Sequence, residues 1–364
     1  MPATPTAPPS IANGPPLVSV IIPARNEEAS LQACLASLLA QQNVAFEIIV
    51  VDDHSTDRTR EIAASFSGNR IRTIEAGPLP SGWIGKNNAV AAGAKIARGQ
   101  WLLFTDADTI HLPGSLARSI AEANRHHAAM LSYSPEQIVD SFWEKAVMPV
   151  IFAELAATFR PSQVSDPNSP AAAANGQYIL ITREAYDAVG GHAAIANSLL
   201  EDVALARAVK KSGRKIFFRF AAAVRTRMYR NFSQLREGWT KNLVLLFPSP
   251  ARMAALRVTE FILIVSSATI SLIAASRQHA RPALAAATIF VILYALFLAR
   301  IRRAHFSWDA NLLAIFGLPL FSYLLVRSAQ AHAQGNVNWK GRTYRGRYPV
   351  FRDEDRALEM EEAS

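Results

Sequence analysis

Only one cysteine, Cys34, stands in 364 residues. A lone thiol excludes an internal disulfide and a thiolate metal cluster, and its place on a stretch of helical periodicity predicts a buried structural residue. The first residues, MPATPTAPPSIANGPPL, lack both the positive start and the apolar segment of a secretory signal, so a disordered cytosolic tail is expected over residues 1–16. Long hydrophobic runs are missing before Arg257. Three follow it, at roughly 258–276, 282–299 and 310–329, each near the ~20 residues that a membrane-spanning helix needs. Acidic residues are the minority, 29 against 38 Lys and Arg, for a net charge of +9. The surplus gathers between Arg183 and Arg257 and again at Arg300 to Arg303, beside the apolar runs. That placement fits the positive-inside rule and anionic lipid headgroups, and it argues against nucleic acid as a partner.

What is present is an alternation of short β-branched runs with helical segments. LVSVIIPA, FEIIVVDD, RIRTIEA and QWLLFTDAD read as strands, and EEASLQACLASLLAQQ, STDRTREIAASF and KNNAVAAGAKIARG as the helices between them. Continuous rather than alternating apolar residues imply strands covered on both faces, hence an α/β, doubly wound and mostly parallel sheet. Ligands of such sheets sit outside the carboxyl ends of the strands, which makes polar residues there informative. Further on, SFWEKAVMPVIFAELAATF fits two readings, an amphipathic helix at a membrane interface or a helix of a soluble core. SLLEDVALARAVKKSGRKIFF reads as a helix leading into a strand. No repeat of fixed period is present.

Four polar clusters end or interrupt these elements: PARNEE, with Pro23, Ala24, Arg25 and Glu27; VDDHSTD, with Asp52, Asp53 and Asp57; DAD, with Asp106 and Asp108; and LLEDVAL, with Glu201 and Asp202. Side chains two apart on an extended segment point the same way, so Asp106 and Asp108 are expected to converge. Converging carboxylates repel unless a cation joins them, and a Mg2+ or Mn2+ ion completed by substrate phosphates is the simplest such cation. Each cluster also has a plainer reading. The VDDHSTD acids fit a cap for the next helix, Arg25 and Glu27 a surface ion pair, and Glu201 and Asp202 a solvated first helical turn.

The order and spacing of all four clusters resemble the family 2 glycosyltransferases of the GT-A fold, over about residues 17–245. On that resemblance Pro23, Ala24, Arg25, Glu27 and Asp53, with Asp52 beside them, line the uracil and ribose pocket of a UDP-sugar donor. Asp106 lies next to the nucleotide, Asp108 holds the metal, Glu201 belongs to the substrate site, and Asp202 is the catalytic base. LPSGWIGKNNAVAAGA is similar to the lipid-directed branch that includes hopene-associated and carotenoid glycosyltransferases. There Gly82 and Gly85 are expected to permit close backbone approach, and Lys86 to meet nucleotide charge. The plainer reading is a surface turn with a packed Trp83. The family's Q-x-x-R-W motif has an altered counterpart in QLREGWTKN, where Gln234, Arg236 and Trp239 stand on the acceptor side. VNWKGRTYRGR resembles a segment of ceramide glucosyltransferase relatives that brings Trp339, Lys340 and Arg342 to the headgroups; a basic surface tail is the other reading.

The resemblance implies an inverting, metal-dependent transfer to a membrane lipid, in a multi-pass protein of the cell inner membrane with its catalytic domain in the cytoplasm. A catalytic domain is expected over 17–245, a membrane region of two to three spanning or re-entrant helices over 246–330, and a basic then acidic tail over 331–364. Gly317 and Pro319 in the third apolar run are expected to break it into a re-entrant hairpin, leaving both termini cytosolic. Two rivals remain: a phosphatase of the haloacid dehalogenase type with Asp106 as nucleophile, which leaves PARNEE unexplained, and a non-catalytic membrane scaffold of the same fold.

Overall fold

The computed structural model describes residues 17–68 and 70–344. The expected disordered tail, Arg345, Arg347 and the acidic C-terminal stretch lie outside the described residues. The chain divides into two compact units, one of residues up to 135 with 165–224, the other of 136–164 with the residues from 225 onward.

In the first unit the expected alternation is realised as β1 (Val18–Ala24), α1 (Leu31–Leu39), β2 (Phe46–Asp52), α2 (Thr59–Ser65), β3 (Ile71–Glu75), α3 (Gly85–Ile96) and β4 (Trp101–Phe104). Every residue of β2 is buried, and in β1 all but Pro23, as expected of strands covered on both faces. Then follow β5 (Thr109–His111), α4 (Ser115–Arg125) and β6 (Met130–Gln137). After α5 (Phe142–Thr158), which belongs to the other unit, come α6 (Pro161–Ser165), β7 (Ile179–Thr182), α7 (Arg183–Ala188), α8 (Gly191–Ala194), α9 (Glu201–Lys211) and β8 (Ile216–Thr226).

The sheet order is β3-β2-β1-β4-β7-β6-β8-β5. The pairs among β3, β2, β1 and β4 are parallel, whereas β7 runs antiparallel to both β4 and β6. This is a large, mostly parallel sheet, with its antiparallel part beyond β4. Strand order reverses between β1 and β4, and a doubly wound sheet opens its ligand crevice at such a point. Register sets the depth of that crevice. Ala24 lies opposite Asp52 and Ile21 opposite Phe104, so the segments PARNEE, VDDHSTD and TDAD leave the sheet side by side.

The second unit is helical, with α5, α10 (Phe232–Leu246), α11 (Pro250–Ser276), α12 (Ala280–Ile301), α13 (Trp308–Leu313) and α14 (Gly317–Ala333), followed by a hairpin of β9 (Val337–Trp339) and β10 (Arg342–Tyr344). Of the two readings of α5, the core helix is the one found. It opens on a capping box between Ser141 and Glu144, and Ala146 through Glu154 are all buried. Three helical segments, Pro250–Ser276, Ala280–Ala304 and Trp308–Ala333, are long and apolar enough to cross a membrane. The expected break at Gly317 and Pro319 does not reverse the chain. A short 3-10 turn at Ala314–Phe316 leads straight into α14, whose first turn accepts Pro319 because its N–H needs no intrahelical partner. Gly317 serves close packing instead: a Cβ there would stand 1.9 Å from the carbonyl oxygen of Ala146 on α5.

Candidate functional site

The crevice is built from loops that brace one another. Arg25 donates to the carbonyl oxygens of Asp53 and His54 at 2.6 and 3.2 Å, which ties the end of β1 to the loop after β2. The amide N–H groups of Asn26, Glu27 and Glu28 donate to the side chains of Ser55, Thr59 and Asp57, in the β2–α2 loop and at the start of α2. Asn26 sits in the left-handed region at φ 53°, and its side chain accepts from the Thr56 N–H at 2.8 Å. Asp57 accepts from the Thr59 N–H and hydroxyl, the helix-cap role that was its plainer reading, and after the opposing effect of burial these bonds hold its carboxyl below the usual range.

Asp52, expected among the substrate contacts, is 1% exposed and accepts from the Ser55 N–H and the Arg60 guanidinium, each at 3.3 Å. It secures the loop from beneath. Asp53 and Ala24 are buried beside it, while Arg25 and Glu27 remain partly exposed at the rim.

The DAD segment is a turn and not the end of a strand. β4 stops at Phe104, and the Thr109 N–H donates to the Asp106 carbonyl at 3.2 Å. The two carboxylates are both partly exposed, while Ala107 between them is buried. A buried layer supports the turn: the Thr105 hydroxyl donates to the Gln177 carbonyl at 2.8 Å and lies 3.1 Å from His111 Nε2. Burial drives the His111 pKa down to about 3, so that ring stays neutral.

Cys34, buried as expected, lies under the same turn. Its thiol pKa is pushed far up, first by burial and then by the fields of Asp108, Glu27 and Asp106, which places these three carboxylates around one region.

Lys86 joins the clusters. Its ammonium lies 2.7 Å from Asp106 and 2.6 Å from Glu201, linking the β4 loop to the first turn of α9. Burial opposes its charge, yet the Asp106 and Glu201 carboxylates hold its pKa well above that of an ordinary lysine. Glu201, itself buried, is therefore half of a partly buried ion pair and not part of a solvated turn. Asp202 follows it, accepting from the Gly176 N–H at 3.0 Å and from the Val203 N–H at 2.8 Å. Burial, then the Glu201 charge, pushes the Asp202 pKa up to about 6, against the opposing field of Lys86. Such a carboxylate is ionised at neutral pH and basic enough to accept a proton.

Pro23, Lys86, Thr105, Asp106, Gly176, His192 and Glu201 line one pocket with Val90, Phe104 and Ile179. Two residues of this lining, Gly176 and His192, and Asn87 behind it carry roles that the sequence did not assign. Gly176 donates to Asp202. His192, its pKa lowered to about 4 by burial, is edge-on to Phe104 at 4.9 Å and 3.0 Å from the Tyr186 hydroxyl. Asn87, next to Lys86, donates from Nδ2 to the carbonyl oxygens of Ile195, Ala196 and Ser198, each at 3.0 Å, and so fixes the loop that delivers Glu201 and Asp202. The NN of GKNN was the one signal available for it. Gly82, expected to permit close approach, has open space around it and adopts φ 80°, a conformation that glycine takes without strain.

The donor set fits a hard divalent cation, since Asp106 and Asp108 offer carboxylate oxygens from one turn. Among the described residues no three His, Cys, Asp or Glu side chains form a metal cage, so the remaining ligands of such an ion would be phosphate oxygens and water.

In the helical unit, Gln234 accepts from the Arg230 N–H, Arg236 is partly exposed, and Trp239 is buried against Met148, Phe152 and Tyr229. The tail hairpin folds onto α10: the Lys340 N–H donates to Glu237, and the Lys241 ammonium lies 5.6 Å from the Trp339 ring centre.

Residues 19–190 match the family described as Glycosyl transferase family 2. The chain is 29% identical over 342 residues to the 4,4'-diaponeurosporenoate glycosyltransferase of Staphylococcus aureus, covering 90% of this chain and 88% of that one. Among solved structures, the mannosyltransferase PcManGT of Pyrobaculum calidifontis, in complex with GDP-Man and Mn2+, aligns at a TM-score of 0.48 and 16% identity over 88% of this chain and 87% of its own. TarS 1–349 of S. aureus in complex with UDP-GlcNAc aligns at 0.43 and 15% over 90% and 99%. This likeness is one of sequence, and it favours a glycosyltransferase over the phosphatase alternative. The match over residues 19–190, with the four motifs in order, supports a place for the chain in glycosyl transferase family 2.

Proposed function

We propose that this glycosyltransferase moves a sugar from a UDP-sugar to a carotenoid-type or related lipid acceptor, at its hydroxyl or carboxyl oxygen, by a single inverting displacement at the cytoplasmic face of the cell membrane. The observation that carries the reading is the Asp202 carboxylate, held by two backbone N–H groups beside the Lys86, Asp106 and Glu201 cluster. Asp202 takes the proton from an acceptor hydroxyl as its oxygen attacks the anomeric carbon, while the bond from that carbon to the UDP oxygen breaks. A carboxylic acid acceptor is already ionised and asks nothing of the base. Lys86 faces the negative charge that accumulates on the departing diphosphate. Pro23, Ala24, Arg25, Glu27 and Asp53 are assigned to the nucleoside, at the carboxyl ends of β1 and β2. Arg236 and Trp239 are assigned to the acceptor side.

Asp108, with Asp106 near it, would hold a Mg2+ or Mn2+ ion, whose chemistry when bound is to neutralise the leaving diphosphate. The relative's name supports the acceptor class, and the apolar helices support attachment to a membrane. The test is to incubate membranes containing the protein with radiolabelled UDP-glucose, UDP-N-acetylglucosamine and UDP-galactose, with Mn2+ or EDTA and with a polyene alcohol or a polyene carboxylic acid. Label in the lipid extract, lost with EDTA and, for the alcohol, lost in Asp202→Asn, is the expected result. UDP binding without label from any donor would refute it and leave the scaffold reading.

A further inference from the structure

The helical unit carries three segments long enough to span a membrane, and they are not alike. Only 17% and 11% of the apolar windows of the α11 and α12 segments are buried within the protein, against 44% of the window running through α13 and α14.

Charges divide them further. Arg257 on α11 and Arg277, its C-cap, are separated by about 30 Å of helix, and Arg281 and Arg300 on α12 by about 28 Å, at ~1.5 Å per residue. Each distance matches a hydrocarbon core of ~30 Å. At one end lie Arg277, His279 and Arg281. At the other, Arg257 pairs with Glu260 at 2.5 Å and Glu154 at 3.5 Å, and Arg300 pairs with Glu260 at 2.6 Å and with Glu154. Four charges compensated in this way are affordable at a headgroup boundary and expensive in the interior of a bilayer.

α14 makes its polar contacts outside the slab that these two charge layers define. Gly317 abuts Ala146, Phe321 meets Phe247, and the Ser322 hydroxyl donates to the Ala254 carbonyl, three residues before Arg257. Farther along, Ser328 bonds to Thr240 and Val244 of α10, and His332 Nε2 lies 2.8 Å from the Lys241 carbonyl. None of these partners belongs to the apolar stretch from Val258 to Leu298. The large apolar side chains that α13, α14 and the 3-10 turn between them leave exposed are Trp308, Leu312, Phe316, Tyr323 and Val326, with Asp309, Arg327 and Gln330 exposed among them. Phe142 extends the apolar set, 6.1 Å from Phe316, and Arg302 lies 4.7 Å over the Trp308 ring. Aromatic rings rimmed by arginine belong at the headgroup level.

We propose that only α11 and α12 cross the bilayer, as a two-span hairpin, and that the exposed apolar side chains from Trp308 to Val326 lie in the leaflet beside Arg302 and Arg303, so that α13 and α14 form a monotopic platform. The occupant of the exposed face is the lipid bilayer itself. The basic end of the hairpin, with Arg252, Arg302 and Arg303 in addition to the paired arginines, faces the cytosol by the positive-inside rule. The proposal rests on the membrane attachment of the proposed function and adds its topology.

Because the one native cysteine is buried, single-cysteine variants of the full chain can be labelled directly. Ser162→Cys, His279→Cys and Gln334→Cys, all at exposed positions, are treated with a membrane-impermeant maleimide in right-side-out and in inverted vesicles. Positions 162 and 334 should react from one face and 279 only from the other. Tyr323→Cys and Ile270→Cys, carrying a bimane, then report depth: nitroxide on lipid headgroups should quench 323 more, and nitroxide near the acyl-chain ends should quench 270 more. Reaction of 334 from the face that labels 279, or a 323 signal as deep as 270, overturns the platform and leaves the proposed function standing. Release of the unmodified protein by alkaline carbonate overturns the membrane attachment on which both rest.

Discussion

Replacing Lys86 with Met removes the one ammonium that touches both Asp106 and Glu201 while keeping a side chain of similar reach. The magnitude follows from the site. The Lys86 Nζ atom lies 3.1 Å, and an Asp202 carboxylate oxygen 3.6 Å, from the point where a Gly176 Cβ would sit. The two charged groups are thus at most ~7 Å apart, which at an effective dielectric constant of ~20 is worth about 2 kcal/mol. At ~1.4 kcal/mol per pH unit, the loss raises the Asp202 pKa by one to two pH units. The direction is fixed: Lys86 favours the ionised carboxylate, and its removal also takes an ion-pair partner from Glu201, so both changes favour the protonated acid.

For a hydroxyl acceptor, the acid limb of kcat should therefore stand near pH 6 in the unmodified enzyme and move upward in Lys86→Met. Lys86→Arg, which keeps the charge, should restore much of the original position. Because Lys86 is 31% exposed, added salt should narrow the difference between the wild type and Lys86→Met. The assay is kcat at saturating UDP-sugar from pH 5 to 9, with KM for the donor followed separately to set aside effects on binding. An acid limb that stays in place, or moves to lower pH, refutes the assignment of Asp202 as a base tuned by Lys86.

Asn87→Ala should lower both stability and kcat. It strips the donors from three carbonyls around a buried side chain, at a cost of about 2 to 4 kcal/mol, and a fall of several degrees in Tm in detergent is the readout. Gly317→Ala should destabilise the helical unit by about 3 kcal/mol, since the added methyl meets the Ala146 carbonyl at 1.9 Å; protease resistance of the membrane-bound chain, unchanged, would count against that packing. Cys34 should resist maleimide throughout the neutral range, being buried with a raised pKa, and react on denaturation. Labelling of the native protein would show that the DAD turn opens.

Much of the first unit was written in local sequence. The runs VSVIIPA and FEIIVVD are apolar on both faces, so they can only be covered strands, and acids placed directly after them have to emerge at a strand end. The three apolar runs and the positions of PARNEE, VDDHSTD, DAD and LLED were legible for the same reason. Which of those acids face a ligand was not. Asp52 and Asp57 share a segment with Asp53, yet one turns to Arg60 and the other to Thr59, choices settled by the loop packed against them.

Nor could α5 be placed. Its sequence suits an interface as well as a core, and only the helices around it decide between them. The partners of Lys86 and Asn87 lie far along the chain, Asn87 and Ser198 being 111 positions apart. The sequence by itself determined where hydrophobic burial begins and ends, because periodicity is local. Tertiary structure alone decided which charges meet, because hydrogen bonds and ion pairs act over a few ångströms between atoms that only folding brings together.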